Sequence, residues 1–294
     1  MSVDLPATEG EHPQTARLDV VSTGELVRLL VADQQRAADA VAAHAATIAG
    51  VVERTVQRLR QGGRLHYVGA GTSGRLGVLD AAELYPTFRA GDELVAAHIA
   101  GGTAALTHAI EGAEDDRAGG ERVVGDCVTA GDAVYGISAG GTAPFVIGAV
   151  AAATAAGAYT VAIVNAAGSP LADVANETIE LATGPEALTG STRLKAGTSQ
   201  KIVLNTLSTA IMVRLGKVFG NKMVDVVVAN RKLRERAIRL VESIAEVDRE
   251  RAIGALDRSD GRVKIAIVCE RRGVDPVAAA ELLKRSGGML RPLL

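Results

Sequence analysis

The segment with the clearest chemical character is a glycine-rich stretch that carries two hydroxyls, at residues 69–77 with the sequence GAGTSGRLG. It follows an apolar run and precedes a helical pattern, so its backbone N–H groups are expected at a helix N-terminus, where anions bind. Its spacing also satisfies the dinucleotide fingerprint G-x-G-x-x-G. A phosphate-ester site, a dinucleotide site and a purely structural tight turn are the three interpretations.

The surroundings of this loop favour a phosphate monoester. A dinucleotide site has an acidic residue about 20 positions further on, at the end of the second strand, but here that strand ends in Ala100-Gly101-Gly102. Thr72 and Ser73 add hydroxyl donors to the backbone N–H groups, a combination that suits a compact dianion. The sequence therefore predicts a phosphate-binding loop that includes Gly71, Thr72 and Ser73.

Two further segments carry hydroxyls where a ligand would lie. Residues 138–142 (SAGGT), beginning with Ser138, follow a predicted strand, at the edge where ligands bind in open α/β sheets. Residues 190–201 (GSTRLKAGTSQK) place hydroxyls and cations near a predicted helix start. The candidates in that second segment are Ser191, Thr192, Arg193, Lys195 and Lys201. A flexible turn and an N-cap with solvated basic residues are the respective structural alternatives.

Glu83 and Glu114 are the candidates for proton transfer. Glu83 lies in DAAELYPTF, on the predicted helix that follows the glycine loop, and Glu114 lies in EGAEDD. A pair of carboxyl groups can supply a general acid and a general base. Judged by spacing alone, both residues also fit solvated surface carboxylates.

Metal and nucleophile motifs are absent from the sequence. The five histidines lack a spacing such as H-E-x-x-H, and there is no G-x-S-x-G elbow. Cys127 and Cys269 form neither a C-x-x-C pair nor a disulfide framework. We therefore expect no metal, no cofactor and no serine-hydrolase site.

Composition narrows the class of partner. Lys+Arg 32 against Asp+Glu 34 gives a net charge of -2, and aromatic residues are 2% with no Trp, which argues against nucleic-acid binding. Residues 133–172 carry no charge, but glycines and Pro144 interrupt them, so buried α/β elements explain them better than a membrane span. The N-terminus lacks the basic start and apolar run of a signal peptide. A cytoplasmic protein with a small-molecule partner is expected.

The elements that would position these residues alternate between strand and helix, which predicts an α/β fold with a doubly wound parallel sheet. The predicted strands cover 64–68, 93–99, 132–138, 159–165 and 178–182. The predicted helices cover 22–33, 34–60, 74–84, 103–112, 143–156, 197–216 and 232–246. Residues 1–20 are predicted as a poorly ordered arm or a segment ordered by a partner, and 263–270 fits a strand or a buried helix equally.

Five segments together resemble the N-acetylmuramic acid 6-phosphate etherase family, which has the sugar isomerase (SIS) fold. The likeness runs nearly end to end, from Thr8-Glu9 to GGMLRPL at 287–293. The segments are GAGTSGRLGVLDAAELYPTF (69–88), IAGGTAAL (99–106), EGAEDD (111–116), GPEALTGSTRLKAGTSQK (184–201) and LGKVFGNKMVDVVVAN (215–230).

This resemblance implies an architecture. It implies a five-stranded SIS-type sheet flanked by helices, with a small helical C-terminal region that would include residues 263–270. The corresponding domains are an N-terminal arm with helices over 1–62, a sugar-phosphate-binding SIS domain over 63–230, and the helical region over 231–294.

The resemblance also implies a reaction, the removal of D-lactate from N-acetylmuramate 6-phosphate in amino-sugar catabolism and peptidoglycan recycling. It assigns proton donation to Glu83 and a second acid/base role to Glu114, with no metal or redox cofactor. Family matching implies a homodimer with a site near the interface. The implied substrate-binding residues are Gly71, Thr72, Ser73, Ser138, Ser191, Thr192 and Lys195.

Two departures from the family pattern concern affinity. The family usually reads A-S-G-R-T-P where residues 139–144 read AGGTAP, so a hydroxyl and an arginine are missing and Thr142 stands at the arginine position. Losing one charge-assisted contact costs about 1.5–3 kcal/mol. His12-Pro13 also stands where an Asn is common.

Two alternative functions remain for the sequence. One is a sugar-phosphate-sensing regulator, like the glucokinase regulatory protein, and the other is a sugar-phosphate isomerase. Glu83 and Glu114 favour the etherase.

Overall fold

Five parallel strands form the main sheet of the computed structural model, which describes residues 6–294. The spatial order is β2-β1-β3-β4-β5, and every residue of β1, β3 and β4 is buried, as in sheets covered on both faces. The strands are β1 Leu65–Gly69, β2 Val95–Ile99, β3 Ala133–Ile137, β4 Tyr159–Val164 and β5 Glu177–Glu180. The predicted parallel sheet is confirmed.

The strand order creates a switch point between β1 and β3. The chain leaves β1 toward β2 on one side and later returns to add β3 on the other side. In open α/β sheets, ligands bind at the carboxyl ends of the strands at such a point. The loops after β1 and β3 are therefore the two segments that the topology brings together.

Helices make up most of the remaining chain. They are α1 Thr23–Asp33, α2 Gln35–Ala42, α3 Ala45–Arg60, α4 Gly71–Phe88, α5 Arg117–Gly125, α6 Pro144–Ala155, α7 Pro170–Val174, α8 Lys195–Arg214, α9 Arg231–Ala245, α10 Arg249–Arg258, α11 Val263–Arg272 and α12 Pro276–Arg285. Two short strands, β6 Val218–Phe219 and β7 Lys222–Met223, form an antiparallel pair. Within residues 6–294, no helix combines the length and apolarity that a membrane span requires.

The chain forms two compact units. The first contains the main sheet and consists of the described residues up to Ala81 together with Glu93–Leu207. The second consists of Ala82–Asp92 and Ser208–Leu294, and its core is built from the buried faces of α9 to α12. Residues 263–270 lie in α11, where Ile265, Ile267 and Val268 are buried, so the helical alternative is the correct one.

Most predicted elements occur at the expected places, and local chemistry explains their ends. Ser22 caps α1, because its hydroxyl accepts a hydrogen bond from the Glu25 backbone nitrogen at 3.3 Å. Pro144 occupies the first turn of α6, where its missing N–H costs nothing. The predicted helices over 197–216 and 232–246 correspond to α8 and α9.

Two predictions about elements were wrong, and one helix was not predicted at all. The single helix over 34–60 is two helices, because His44 leaves helical geometry at φ −106°, ψ 14° and its ring lies 2.9 Å from the Ala40 carbonyl oxygen. The helix over 103–112 is a short 3-10 turn, because Gly101, Gly102 and Gly112 adopt positive φ. The sequence patterns also missed α5.

The N-terminal segment also differs from its prediction. Thr8, His12 and Thr15 are buried, and the His12 ring lies 3.2 Å from the Asp33 carboxylate. The segment from residue 6 onward is thus packed on its own unit, where His12 meets Asp33 and the Thr15 hydroxyl donates to the His12 carbonyl oxygen at 3.4 Å. The first five residues of the predicted arm lie outside the described residues.

Candidate active site

The loop from β1 into α4 places backbone N–H groups at a helix N-terminus. Helix α4 begins at Gly71, so the N–H groups of its first turn have no partner within the helix. Gly71 adopts φ +52°, a conformation that favours glycine. Thr72 and Ser73 follow directly, so two hydroxyls accompany the N–H groups as the sequence predicts.

The outer glycines of this loop allow the strand end to contact the helix start. A Cβ on Gly69 would lie 2.6 Å from the Gly74 nitrogen, and one on Gly74 would lie 2.8 Å from the Gly69 carbonyl oxygen. Both approaches are closer than a side chain permits. The G-x-G-x-x-G spacing therefore serves a tight backbone turn that suits a phosphate without requiring a dinucleotide.

The loop from β3 into α6 lies beside the first. Ser138 is buried, and its carbonyl oxygen accepts a hydrogen bond from the Gly141 nitrogen at 3.2 Å. Gly141 adopts φ +66°, and a Cβ there would lie 2.2 Å from the Ser169 hydroxyl oxygen. This loop therefore depends on glycine at 141, whereas Gly140 has room for a side chain, with the nearest atom 3.4 Å from an added Cβ.

A cavity of about 560 Å³ joins the two loops at the carboxyl edge of the sheet. This volume lies within the usual range for small-molecule sites. Polar atoms from both loops and from three other segments line it. The polar lining residues are Glu9, Gly71, Thr72, Ser73, Glu114, Asp115, Ser138, Thr142 and Thr192.

A buried amide network positions Ser73. The Ser73 hydroxyl donates to Gln200 Oε1 at 2.8 Å, and Gln200 Nε2 donates to Asn165 Oδ1 at 3.1 Å. Asn165 Nδ2 in turn donates to the hydroxyl oxygens of Thr183 and Ser199 at 3.2 and 2.9 Å. No sequence pattern indicates this network, because its members are distant in sequence and neutral.

The two predicted proton-transfer residues have different positions. Glu114 is exposed in a short 3-10 turn, Ala113–Asp115, and lines the cavity together with Asp115. Glu83 is exposed on α4, in the part of that helix that belongs to the second unit. The cavity lining comes from the first unit alone.

The segment over 190–201 contributes one lining residue, Thr192. Lys195 is fully buried, and its Nζ lies 2.8 and 3.0 Å from the two carboxylate oxygens of Asp33. Glu186 accepts hydrogen bonds from the Lys195 and Ala196 nitrogens at 3.1 and 2.9 Å, and burial raises the pKa of that carboxyl group. Lys195 thus anchors the start of α8, three residues after Thr192 in the sequence.

Ser191, the other hydroxyl proposed for this segment, is half-buried beside Thr192. Its backbone nitrogen donates to the Leu188 carbonyl oxygen at 2.9 Å, which closes a turn. Pro6 and Glu9 also line the cavity, although the sequence patterns singled out neither residue. Their position follows from the packing of the N-terminal segment.

Known proteins share much of this sequence. The chain is 49% identical over 284 residues to an N-acetylmuramic acid 6-phosphate etherase of Gloeobacter violaceus, covering 96% of this chain and 93% of that protein. It is 48% identical over 293 residues to an N-acetylmuramic acid 6-phosphate etherase of Deinococcus radiodurans, covering 99% and 96%. Residues 47–154 match the glucokinase regulatory protein N-terminal SIS domain family, which is less than half of the chain.

Solved structures share the fold. Phosphoheptose isomerase from Neisseria gonorrhoeae superimposes with a TM-score of 0.52 at 22% identity, covering 65% of this chain and 98% of that chain. A phosphoheptose isomerase from Francisella tularensis gives a TM-score of 0.50 at 17% identity, with the same coverage. The sheet and its flanking helices therefore have the architecture of SIS-type sugar isomerases.

Proposed function

Because this chain belongs to the N-acetylmuramic acid 6-phosphate etherase family, we propose that it cleaves the D-lactyl ether of N-acetylmuramate 6-phosphate. The products are N-acetylglucosamine 6-phosphate and D-lactate, and the net reaction consumes one water. One observation supports this proposal most directly. The cavity joins a loop suited to a phosphate, Gly71–Ser73, to a carboxylate, Glu114.

The 6-phosphate is assigned to the N-terminus of α4. A phosphate dianion there would accept hydrogen bonds from backbone N–H groups and from the hydroxyls of Thr72 and Ser73. The Ser73 hydroxyl has one proton, which it donates to Gln200 Oε1 in the free protein, so this proton would turn to the phosphate on binding while Ser73 stays beside the buried amide network. Ser138 and Thr192 line the same cavity and would contact other polar groups of the sugar.

The ether lies β to the aldehyde of the open-chain sugar, which makes elimination the accessible route. Removal of the C2 proton gives an enolate, whose electron pair forms the C2–C3 double bond while the C3–O bond breaks and lactate leaves. Water then adds its oxygen to C3 and a proton returns to C2. A base, an acid and a phosphate anchor are sufficient for these steps.

Glu114 is assigned one of the two acid/base roles, because it lines the cavity on the same edge as the phosphate loop. Its exposure is compatible with proton exchange with solvent between turnovers. Glu83 takes the proton-donor role by its match to the family segment DAAELYPTF.

The position of Glu83 favours a homodimer that completes the site. Glu83 lies eleven positions after Thr72 on α4, which at a rise of 1.5 Å per residue is about 16 Å along the axis. This distance is longer than a hexose phosphate extends from its phosphorus to C3. Leu79, four residues earlier on the same helix face, is 45% exposed. We assign this face to a contact with a second copy, whose Glu83 would enter the cavity.

A sugar-phosphate-sensing regulator is the second candidate, on the ground of the family match over residues 47–154. Such a protein would bind the phosphosugar in the same cavity and release no lactate. The acidic residues of the lining favour catalysis, because a protein that only binds the phosphosugar gains nothing from carboxylates beside its phosphate site.

A cytoplasmic location is part of the proposal, since cell-wall sugars are phosphorylated before this step.

The decisive experiment is incubation of the chain with N-acetylmuramate 6-phosphate and an enzymatic assay for D-lactate. In ¹⁸O water, label should enter the sugar at C3, and in deuterium oxide, deuterium should enter at C2. Binding without lactate release would support the regulator. Label in the lactate would contradict elimination, because it requires cleavage of the bond on the lactyl side.

A further inference from the structure

A second cluster of reactive side chains lies on one face of the sheet, away from the loops that line the cavity. His66 and His98 lie on β1 and β2, and Cys127 follows α5. The parallel register pairs His98 with Val68, so that His66 and His98 are diagonal neighbours on one face. His66 is fully buried, and the other two side chains are half-buried.

The donor atoms of the three residues converge. His66 Nδ1 lies 3.0 Å from His98 Nε2, and Cys127 Sγ lies 3.9 Å from the same nitrogen. All three donor atoms lie within 4.8 Å of one another. Zinc–nitrogen bonds of about 2.0–2.1 Å and a zinc–sulfur bond of about 2.3 Å give tetrahedral edges of about 3.3 and 3.6 Å. These two distances are within a few tenths of an ångström of the ideal edges, and the third, from His66 Nδ1 to Cys127 Sγ at no more than 4.8 Å, would have to shorten by up to about 1.2 Å to place one ion on all three atoms.

A carboxylate stands behind His66, as at many metal-bound histidines. Asp132 Oδ2 lies 3.9 Å from His66 Nε2, and that buried nitrogen has no hydrogen-bond partner within the described chain. Asp132 is itself fixed, because it accepts hydrogen bonds from the backbone nitrogens of Arg64 and Thr129 at 2.6 and 2.7 Å. A proton on Nε2 would face Asp132 and leave the Nδ1 lone pair directed at the cluster.

We propose that His66, His98 and Cys127 form a binding site for a thiophilic divalent cation, with Zn²⁺ as the natural occupant, and that Asp132 orients His66 from behind. Two imidazoles and a thiolate are borderline and soft donors, which select zinc over magnesium or calcium. Three protein ligands leave a fourth position for water or a small anion. The site is structural or regulatory, since the proposed ether cleavage requires no metal.

The electrostatics of the cluster are consistent with this site. Burial lowers the pKa values of both histidines, that of His66 to about 4, so both rings are neutral and able to ligate near pH 7. Burial raises the pKa of the Cys127 thiol, so the thiol carries its proton until a metal displaces it. Arg64 lies near all three side chains and opposes a cation, while Asp126 and Asp132 act in the opposite direction.

The test is titration of the metal-free full-length chain with Co²⁺ and then with Zn²⁺. A tetrahedral site with one thiolate should give intense visible d–d absorption and a thiolate-to-cobalt charge-transfer band in the near ultraviolet, both at one equivalent. Zn²⁺ should abolish both bands and raise the unfolding temperature. The two metals alone are the probes, so the result does not depend on turnover.

Cys127→Ser and His98→Gln should each either eliminate the charge-transfer band or weaken Zn²⁺ binding. Where binding weakens, the loss of Zn²⁺ affinity should exceed that of Asp132→Asn, for which we expect about a 10–100-fold loss. Cys269→Ser and His108→Gln are the matched controls and should bind as the parent does. Circular dichroism verifies that each variant is folded. The proposal is wrong if the parent chain shows no charge-transfer band at one equivalent, or if folded Cys127→Ser retains it.

Discussion

The two clusters of polar side chains in the first unit are built in opposite ways. The cavity takes most of its hydroxyls and backbone N–H groups from short contiguous loops at the carboxyl ends of β1 and β3, and Glu9, Glu114 and Asp115 add carboxylates from other segments. The histidine–cysteine cluster draws one residue each from two strands and a helix end, and its donors are nitrogen and sulfur. The first arrangement suits a phosphorylated sugar, and the second suits a soft cation.

The difference explains why only one of them was visible in the sequence. Loops at strand ends keep their functional residues together, so the segment 69–77 presents its chemistry as a motif. Residues in neighbouring strands meet through register, and the spacing between His66, His98 and Cys127 carries no metal signature. A substitution in one cluster should therefore leave the other cluster unchanged.

The largest effect should follow removal of the proposed proton-transfer groups. Glu83→Gln and Glu114→Gln should each lower turnover by about 10²–10⁴-fold, because a positioned acid or base typically contributes that much. Steady-state lactate release measures it, with Glu111→Gln as a control for the loss of an exposed carboxylate. Near-normal turnover in both variants would remove the cavity from consideration as the catalytic centre.

The phosphate loop comes next. Thr72→Val combined with Ser73→Ala removes two hydroxyl donors, and at about 1.5–3 kcal/mol for each charge-assisted bond the affinity for phosphorylated substrate should fall at least about a hundredfold. Calorimetric binding of N-acetylglucosamine 6-phosphate measures this loss. Binding of the unphosphorylated sugar is the control, and an equal loss there would place the anchor elsewhere.

The loop after β3 should respond to a single methyl group. Gly141→Ala forces a side chain into φ +66° and against Ser169, at a cost of about 1–3 kcal/mol in the free energy of unfolding. Gly140→Ala, one residue earlier, meets no such obstacle and should leave stability unchanged. Urea denaturation compares the two, and equal stability of both variants would show that the loop adapts.

The smallest effect concerns the pH dependence of the second cluster. The pKa of His66 is lowered to about 4 by burial and by the nearby His98 and Arg64, with Asp132 acting in the opposite direction. The unfolded chain therefore binds the extra proton first, and the stability from neutral His66 is lost as the pH falls from about 6.5 toward 4.

We expect the parent chain to lose about 1–2 kcal/mol more than His66→Gln over this interval. Urea denaturation of metal-free protein at several pH values measures the difference. Parallel curves for the two proteins would show that protonated His66 is accommodated without cost, and the cluster would then be more hydrated than its burial indicates.

The sequence predicted the sheet, the glycine-rich turn into α4 and helix α8, because each depends on local patterns. Five short apolar runs alternate with helices, and Gly71 and Ser22 mark helix starts through their own backbone chemistry. The sequence pattern did not indicate α5, whose glycines are explained only by a long-range contact. This helix contains Gly119 and Gly120, which weaken a helical pattern. A Cβ on Gly120 would lie 1.9 Å from the Phe145 carbonyl oxygen, so glycine there serves the packing of α5 on α6.

The site was predictable to the same extent. The glycine loop and Ser138 follow from strand-end logic, and Glu114 came from the family resemblance. Gln200 and Asn165 could not be found, because a neutral amide acquires its role only through the atoms that it meets. Lys195 was assigned to the substrate on its charge, whereas its ammonium group is bonded to Asp33 in the interior.

The order in which the ribosome makes this chain bears on when the cavity becomes functional. Pro6 and Thr192 both line it, so a nascent chain that has completed β1, β3 and their loops still lacks one wall. Residues 82–92 obtain their packing partners later still, because their unit is completed only by Ser208–Leu294. The Pro86 carbonyl oxygen accepts a hydrogen bond from the Val227 nitrogen at 3.1 Å, and Val227 is available only after most of the chain has been synthesised. The cavity and the packing of the C-terminal end of α4 are therefore completed late in the synthesis of this protein.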